Sequence, residues 1–229
     1  MTLAIMQPYL FPYIGYWQLI NAVDTFVIYD DVNFIKQGYI NRNSILSNGK
    51  SQQFTLELIG ASSNKLIKEI EIGNNVNKIL KTIKQSYIKA PPFENVIILL
   101  EEILTNKEKN LAKFIGYSLE RICEYLEVDT KFVYSSNIKK DNTLKAQDKI
   151  LEMCNILKAD KYINAIGGQE LYNKEIFKEN GIELNFLKTE LVEYKQFKND
   201  FVPYLSIIDI LMFNSKDEIK NMLNRYELV

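Results

Sequence analysis

The residues best suited to chemistry fall in a few short strings. The first is Gln7-Pro8-Tyr9-Leu10-Phe11-Pro12-Tyr13-Ile14-Gly15-Tyr16-Trp17, which packs two prolines, a glycine and five aromatic side chains into one turn. Pro8 and Pro12 restrict the backbone and pre-set that turn. Gly15 lets a neighbour approach the chain closely. Tyr9, Tyr13 and Tyr16 offer faces that stack on a base or a sugar, and hydroxyls that need partners when buried. Phe11 and Trp17 read equally well as core. A second string, Asp30-Asp31, follows an apolar run directly. A carboxylate there is a candidate general base, or a ligand for an amine or a ribose hydroxyl. A solvated turn or a helix cap is the bland alternative. Neighbouring strand residues face opposite ways, so at most one of the two shares a site.

Other candidates are more scattered. Arg42, in Asn41-Arg42-Asn43, is one of the three arginines of a lysine-rich chain. Arginine grips an anion through two parallel hydrogen bonds, which lysine cannot do. Lys36 is a further candidate phosphate contact. Gly167-Gly168 suits a tight turn or a phosphate loop. Ser206 and Asp209 are polar residues in an apolar helical pattern. They are a helix cap and a satisfied buried carboxylate, or they line a pocket.

The composition removes several kinds of chemistry. The chain has no histidine, so Ser-His-Asp and Cys-His catalysis are excluded, as is any histidine-bound metal site. Proton transfer falls to carboxylates, Lys, Tyr, Cys, water or the substrate. Cys123 and Cys154 sit in apolar helical patterns and read as small buried residues, not as a disulfide scaffold. A formal net charge of −1 gives no cationic field for nucleic acid. No run approaches the ~20 apolar residues of a membrane span. No stretch after Met1 reads as a signal peptide, so a cytoplasmic protein is expected.

The elements that must position these residues follow from apolar runs and breakers. Leu3 to Met6 and Phe26 to Tyr29 read as buried strands, with a helix from Tyr13 between them and Pro12 as its first residue. Together they make a βαβ unit with a right-handed crossover. Residues 32 to 50 read as a polar loop. Gln53 to Ile59 and Leu66 to Ile72 read as a hairpin. Helices are expected over Val76 to Ile88, across Phe93 to Leu126 with a break near Asn106 to Asn110, and over Leu144 to Leu157. Strands are expected at Phe132 to Tyr134, Tyr162 to Ile166 and Ile182 to Leu187. Leu171 to Lys178 reads as a helix closed by Asn180-Gly181, and residues 204 to 213 and 216 to 225 look helical. The alternation predicts one α/β domain over residues 1–229. Its sheet is open and mainly parallel with helices on both faces (Rossmann-like), and residues ~50–125 form a hairpin and helical insertion. Ligands of such sheets bind beyond the carboxyl ends of the strands, where the three oddest strings lie.

The opening string, Gln7 to Ile20, resembles the WbqC-like protein family. So do Asp24, Tyr29-Asp30-Asp31-Val32 and Asn41-Arg42-Asn43. Ser86-Tyr87 with Ala90-Pro91 and Phe93, Gly167-Gly168 with Leu171-Tyr172, and Phe201 to Leu211 continue the likeness in order. Pro92 departs from it, standing where an aromatic is expected. Members occur among genes for O-antigen and other surface polysaccharides. The resemblance therefore implies transfer of glycine or another acyl group to an amino sugar. A looser likeness is to the nucleotidyltransferase-type fold, whose His-x-Gly-His signature cradles ATP phosphates. Tyr13 and Tyr16 stand roughly where those histidines would be, so that route to adenylyl transfer lacks its imidazoles.

The leading expectation is an acyl or aminoacyl transferase acting on a nucleotide-linked amino sugar, with Asp30 or Asp31 as base. Arg42 and the first turn would hold the pyrophosphate. An ATP-dependent ligase or nucleotidyltransferase is one alternative, and a non-catalytic sugar- or nucleotide-binding protein is another. The expected co-substrate is an activated acyl donor, or ATP with Mg²⁺. The expected partner is a nucleotide sugar or other small molecule, with no nucleic acid and no membrane insertion. Oligomeric state is not legible in the sequence.

Overall fold

The computed structural model of the chain describes residues 1–198 and 200–229. β1 (Thr2–Met6), α1 (Ile14–Asn21) and β2 (Thr25–Ile28) form the expected opening unit. β1 and β2 run parallel, from Leu3 beside Thr25 to Met6 beside Ile28. An excursion over residues 29–130 then leaves the sheet. It holds β3 (Arg42–Ser47), β4 (Lys50–Thr55), β5 (Leu58–Ile59) and β6 (Glu71–Ile72). Helices α2 (Val76–Tyr87), α3 (Phe93–Thr105) and α4 (Leu111–Leu126) complete it. The chain re-enters the sheet as β7 (Lys131–Tyr134) and continues through α5 (Ala146–Ile156) to β8 (Lys161–Ala165). α6 (Lys174–Glu179), β9 (Glu183–Thr189), α7 (Ile207–Phe213), α8 (Lys216–Leu223) and β10 (Tyr226–Leu228) follow.

The fold is α/β. Its six-stranded sheet has the order β10-β9-β8-β1-β2-β7, and every neighbouring pair is parallel except β9–β10. The strands read as unbroken apolar runs because helices cover both faces. Leu3 and Ile5 pack with Ile150, Met153 and Phe177 of α5 and α6 on one face. Ala4, Phe26 and Ile28 belong to the larger core on the other, with α1, α4, α7 and α8. Trp17, Phe26 and Phe114 are almost wholly buried, each such side chain contributing about 1.5–3 kcal/mol.

The chain runs outward from β1 to β2 and β7, then crosses back over β1 to β8 and continues to β9. The strand order therefore reverses between β1 and β8, and that switch point is where such sheets leave a crevice.

Local signals fix several element ends. Asn110 caps α4 by accepting from Lys113 N–H, and Glu127 ends it in a left-handed conformation. Ser215 and Glu218 form a capping box on α8. Asn180 closes α6, with Gly181 at φ +74° taking the turn that follows.

Four expectations are corrected. Residues 32–50 are not all loop, because β3 pairs with β4 around Asn48-Gly49, whose φ values of +51° and +74° make the tight hairpin turn. Both strands are rich in polar residues, which hid them. The excursion therefore starts well before residue 50. The expected pairing of 53–59 with 66–72 survives only as the two-residue β5–β6 ladder. Pro12 precedes α1 by two residues, and Tyr13 is the N-cap. The helix expected from Leu171 is a 3₁₀ turn, Ile166–Leu171, followed by α6 from Lys174. β10, an antiparallel edge strand, was unforeseen. Among the described residues no helix is long and apolar enough to cross a membrane.

Candidate functional site

The turn after β1 is built by bonds from two distant segments and from α1 beside it. The buried Asn43 amide of β3 donates to Leu10 O at 3.0 Å and Phe11 O at 2.8 Å. Trp17 Nε1 and Ile207 N–H both donate to Pro12 O, each at 3.0 Å. These bonds hold Phe11 at φ +44°, a left-handed conformation that a bulky residue adopts only when its surroundings impose it. With the turn fixed, Tyr9 and Tyr13 face outward. Tyr16 turns inward and donates to Gln7 O at 2.8 Å.

A cleft of about 520 Å³ opens at the switch point. Gln7 from the end of β1 lines one side, and Asn164, Gly167 and Gly168 from the end of β8 line the other. Tyr9, Tyr13, Tyr16, Tyr29, Tyr39 and Tyr172 supply an aromatic wall. Gly15 has a defined job: a Cβ there would meet the Tyr13 ring at 2.6 Å. It lets that ring lie over the first turn of α1 beside Thr189. Gly168 similarly leaves room for the Asn164 amide nitrogen, 2.6 Å from where its Cβ would be. Nothing crowds Gly167. A second chamber, of about 280 Å³, adjoins the cleft and shares Tyr9, Tyr13 and Tyr39 with it. A larger, shallow hollow of about 620 Å³ adjoins the cleft across Leu171 and Tyr172.

The cleft walls are uncharged. Burial raises the Tyr9, Tyr13, Tyr16 and Tyr172 phenols, and the Thr189 hydroxyl offsets part of the rise at Tyr13. Burial, followed by the Asp31 charge, pushes Tyr29 up to about 12. These phenols stay protonated near neutral pH and act as hydrogen-bond donors and acceptors, not as bases. The α1 amides take no side-chain cap. Among the described residues, no group of three or more Cys, Asp or Glu is placed to hold a metal ion.

The aspartates lie one strand away, at the end of β2. Asp30 Oδ1 accepts from Ser135 Oγ and Ser136 N–H, both at 2.9 Å, and Oδ2 from Ser136 Oγ at 2.7 Å. Asp31 pairs with Lys140 Nζ at 2.6 Å, and Lys149 Nζ lies 3.9 Å away. Burial works to raise the Asp31 carboxyl, but the bonds from Lys140 and Ser135 outweigh it and hold it below its usual range. Lys149 also sits 5.6 Å above the Tyr29 ring. The pair therefore braces the ends of β2 and β7, and Tyr29, the residue before it, connects it to the cleft.

Of the residues singled out in the sequence, Gln7, Tyr9, Tyr13, Gly15, Tyr16, Gly167 and Gly168 come together at the cleft. Asn43 borders the second chamber but spends its amide on the turn. Pro8 and Phe11 are buried beneath it. Neither Asp30 nor Asp31 lines the cleft. Arg42 donates to Gly38 O at 3.0 Å and to Gln37 O, tying the loop before β3 instead of facing a ligand. Asn41 donates to Leu56 O, and Lys36 is exposed away from the cleft. Ser206 caps α7. Asp209 is fully buried and accepts from Tyr87 at 2.6 Å and from Tyr194 and Gln196 at 2.7 Å, a polar hub inside the core. Burial raises its carboxyl, and those three bonds lower it in part. The sequence reading missed Tyr29, Tyr39, Asn164, Tyr172 and Tyr204. Tyr29 and Asn164 were findable, because both stand at the carboxyl ends of strands that flank β1.

A protein of Mycobacterium tuberculosis described as uncharacterised, Rv1507c, is 27% identical over 225 residues, which cover 96% of each chain. No solved structure matches the chain. The family model of the WbqC-like proteins matches residues 7–221, from the cleft-forming turn into α8. The chain belongs to the WbqC-like protein family.

Proposed function

We propose that the chain binds a nucleotide-linked amino sugar at the switch point and transfers an acyl or aminoacyl group, such as glycyl, to its amine. In this reading the reaction belongs to cytoplasmic synthesis of O-antigen or other surface polysaccharide. The observation that carries it is the place of the cleft, between β1 and β8 at their carboxyl ends, the crevice in which open parallel sheets bind nucleotides. The uncapped amides of α1 suit a pyrophosphate. The tyrosine walls suit a base and a sugar. In the transfer, the amine nitrogen attacks the acyl carbon, the C–N bond forms, and the bond to the donor's leaving group breaks. One amine proton departs to the leaving group or to water. No carboxylate or lysine lines the cleft. An ammonium carried into it without a counter-ion is driven by desolvation toward the neutral, nucleophilic amine. Asp30 and Asp31 then serve as framework and not as base.

The test is incubation with nucleotide hexosamines and activated acyl donors, read by mass spectrometry. A product heavier by the acyl mass on the amine is expected. An unchanged panel, with sugar-nucleotide binding demonstrated, refutes transfer. That result would leave the second reading, a non-catalytic sugar-nucleotide-binding protein, which the lack of a proton acceptor in the cleft favours. Mg²⁺-dependent pyrophosphate exchange from ATP would instead point to a ligase on the same scaffold.

A further inference from the structure

We propose that the chamber beside the cleft is a saccharide subsite that takes an uncharged sugar ring. This deepens the reading above and rests on it only for the nucleotide half of the ligand. The chamber is lined by Tyr9, Pro12, Tyr13, Tyr39, Asn43 and Tyr204, none of them charged. A phosphate there finds no cation, and an ammonium finds no carboxylate, so a charged group pays its full desolvation. Asn43 has no hydrogens to spare, since both go to Leu10 O and Phe11 O. The remaining polar groups are four phenols, each able to donate and accept, set on flat apolar rings. A sugar ring matches that combination, with C–H faces for the rings and hydroxyls at its rim. An alkyl chain would leave the phenols without partners.

Two further observations point the same way. Tyr39 and Tyr204 are 61% and 72% exposed, so folding gains little from their rings. Tyr204 also sits at φ +57°, a left-handed conformation that disfavours bulky side chains. Strain at an exposed aromatic is a mark of a ligand site, not of core packing. Tyr9, Tyr13 and Tyr39 border both spaces, so the chamber lies directly beside the cleft, next to where a nucleotide there would carry its sugar.

The test compares nucleoside diphosphates, bare and carrying an N-acetylhexosamine, by calorimetry on the full chain, together with free glucose and N-acetylglucosamine by saturation-transfer NMR. The wild type is expected to bind the sugar-bearing form about tenfold more tightly than the bare form. Tyr39→Ala with Tyr204→Ala closes that gap, and Tyr204→Ala alone, which lines the chamber and not the cleft, narrows it and leaves the bare affinity unchanged. Both residues are exposed, so the double variant folds, and a thermal melt checks it. The same variant is expected to lose the free-sugar NMR signal. If no nucleotide binds but the free sugar does, and the variant abolishes it, the subsite stands and the nucleotide reading falls. A wild-type gap below about twofold with silent free sugars overturns the subsite, as does sugar binding of either kind that survives in the double variant.

Discussion

Asn43 is the sharpest place to test how the site is built. It is 4% exposed, and its side chain serves three backbone groups. Its amide donates to Leu10 O and Phe11 O, and its carbonyl accepts from Ser44 N–H at 2.8 Å. Asn43→Ala strands two carbonyls and one N–H. A buried group left without a partner costs about 1–3 kcal/mol, and water entering from the adjoining chamber recovers part of that. The expected loss is about 3 kcal/mol in total. For a chain of this size that lowers Tm by about 6–12 °C. The assay is calorimetric or circular-dichroism melting at pH 7, with nucleotide-sugar binding measured on the folded variant. Asn43→Asp separates shape from hydrogen bonding. It keeps the acceptor for Ser44 but sets a carboxylate against two carbonyls, which raises its pKa in the folded state. The protonated form can donate once, so this variant gains stability as pH falls through that raised value and loses it as pH rises. A Tm for Asn43→Ala within about 2 °C of wild type, or an Asn43→Asp variant indifferent to pH, would refute the claim that this side chain clamps the turn.

Three further outcomes are expected. Asp31→Asn leaves Lys140, whose side chain is 1% exposed, without its charge partner, and should cost about 3 kcal/mol at pH 7. Because the Asp31 carboxyl is held below its usual range, its contribution is complete above about pH 4 and fades as pH falls through the lowered value. The Tm gap between wild type and variant should therefore shrink on acidification, which melts at several pH values would show. Gly15→Ala should push the Tyr13 ring off the first turn of α1 and weaken nucleotide-sugar binding more than it lowers Tm, checked by titration beside a melt. Burial pushes the Cys123 and Cys154 thiols up to about 12, so neither should react with a disulfide reagent at pH 8 until denaturant is added.

What was legible in the sequence followed burial. β1, β2 and β8 are buried on both faces, so each appears as an apolar run with breakers at its end, and the partly buried β7 shows as the short run Phe132-Val133-Tyr134. β3 and β4 were illegible by the same measure. Arg42-Asn43-Ser44 and Lys50-Ser51-Gln52-Gln53 look like loop, and only the Asn48-Gly49 turn signals the hairpin. The first turn, which lines the cleft, stood out because prolines, a glycine and aromatics crowd one strand end. Asp30 and Asp31 fall outside the cleft for a specific reason. They do follow a strand, but strand order decides which end borders the crevice, and alternation of elements does not reveal strand order. Arg42, Asn43 and Asp209 looked like ligand contacts because of their types. Each is instead spent on backbone carbonyls or on buried tyrosines. Tyr39 and Tyr204 lie on irregular segments, brought to the chamber by contacts far apart in sequence, which no local pattern encodes.

Gln18 of α1 is fully buried, and its amide donates at 2.9 Å to Met222 O and to Arg225 O, 204 and 207 positions away. Ile207 N–H reaches back to Pro12 in the same way. The residues of the first turn are thus synthesised about 190 positions ahead of groups that lock them. A nascent chain halted at residue 200 already contains every parallel strand, yet its first helix lacks α8 beside it and the carbonyls that Gln18 bonds. Completion of the scaffold under the first turn is therefore coupled to synthesis of α7, α8 and the stretch to Arg225.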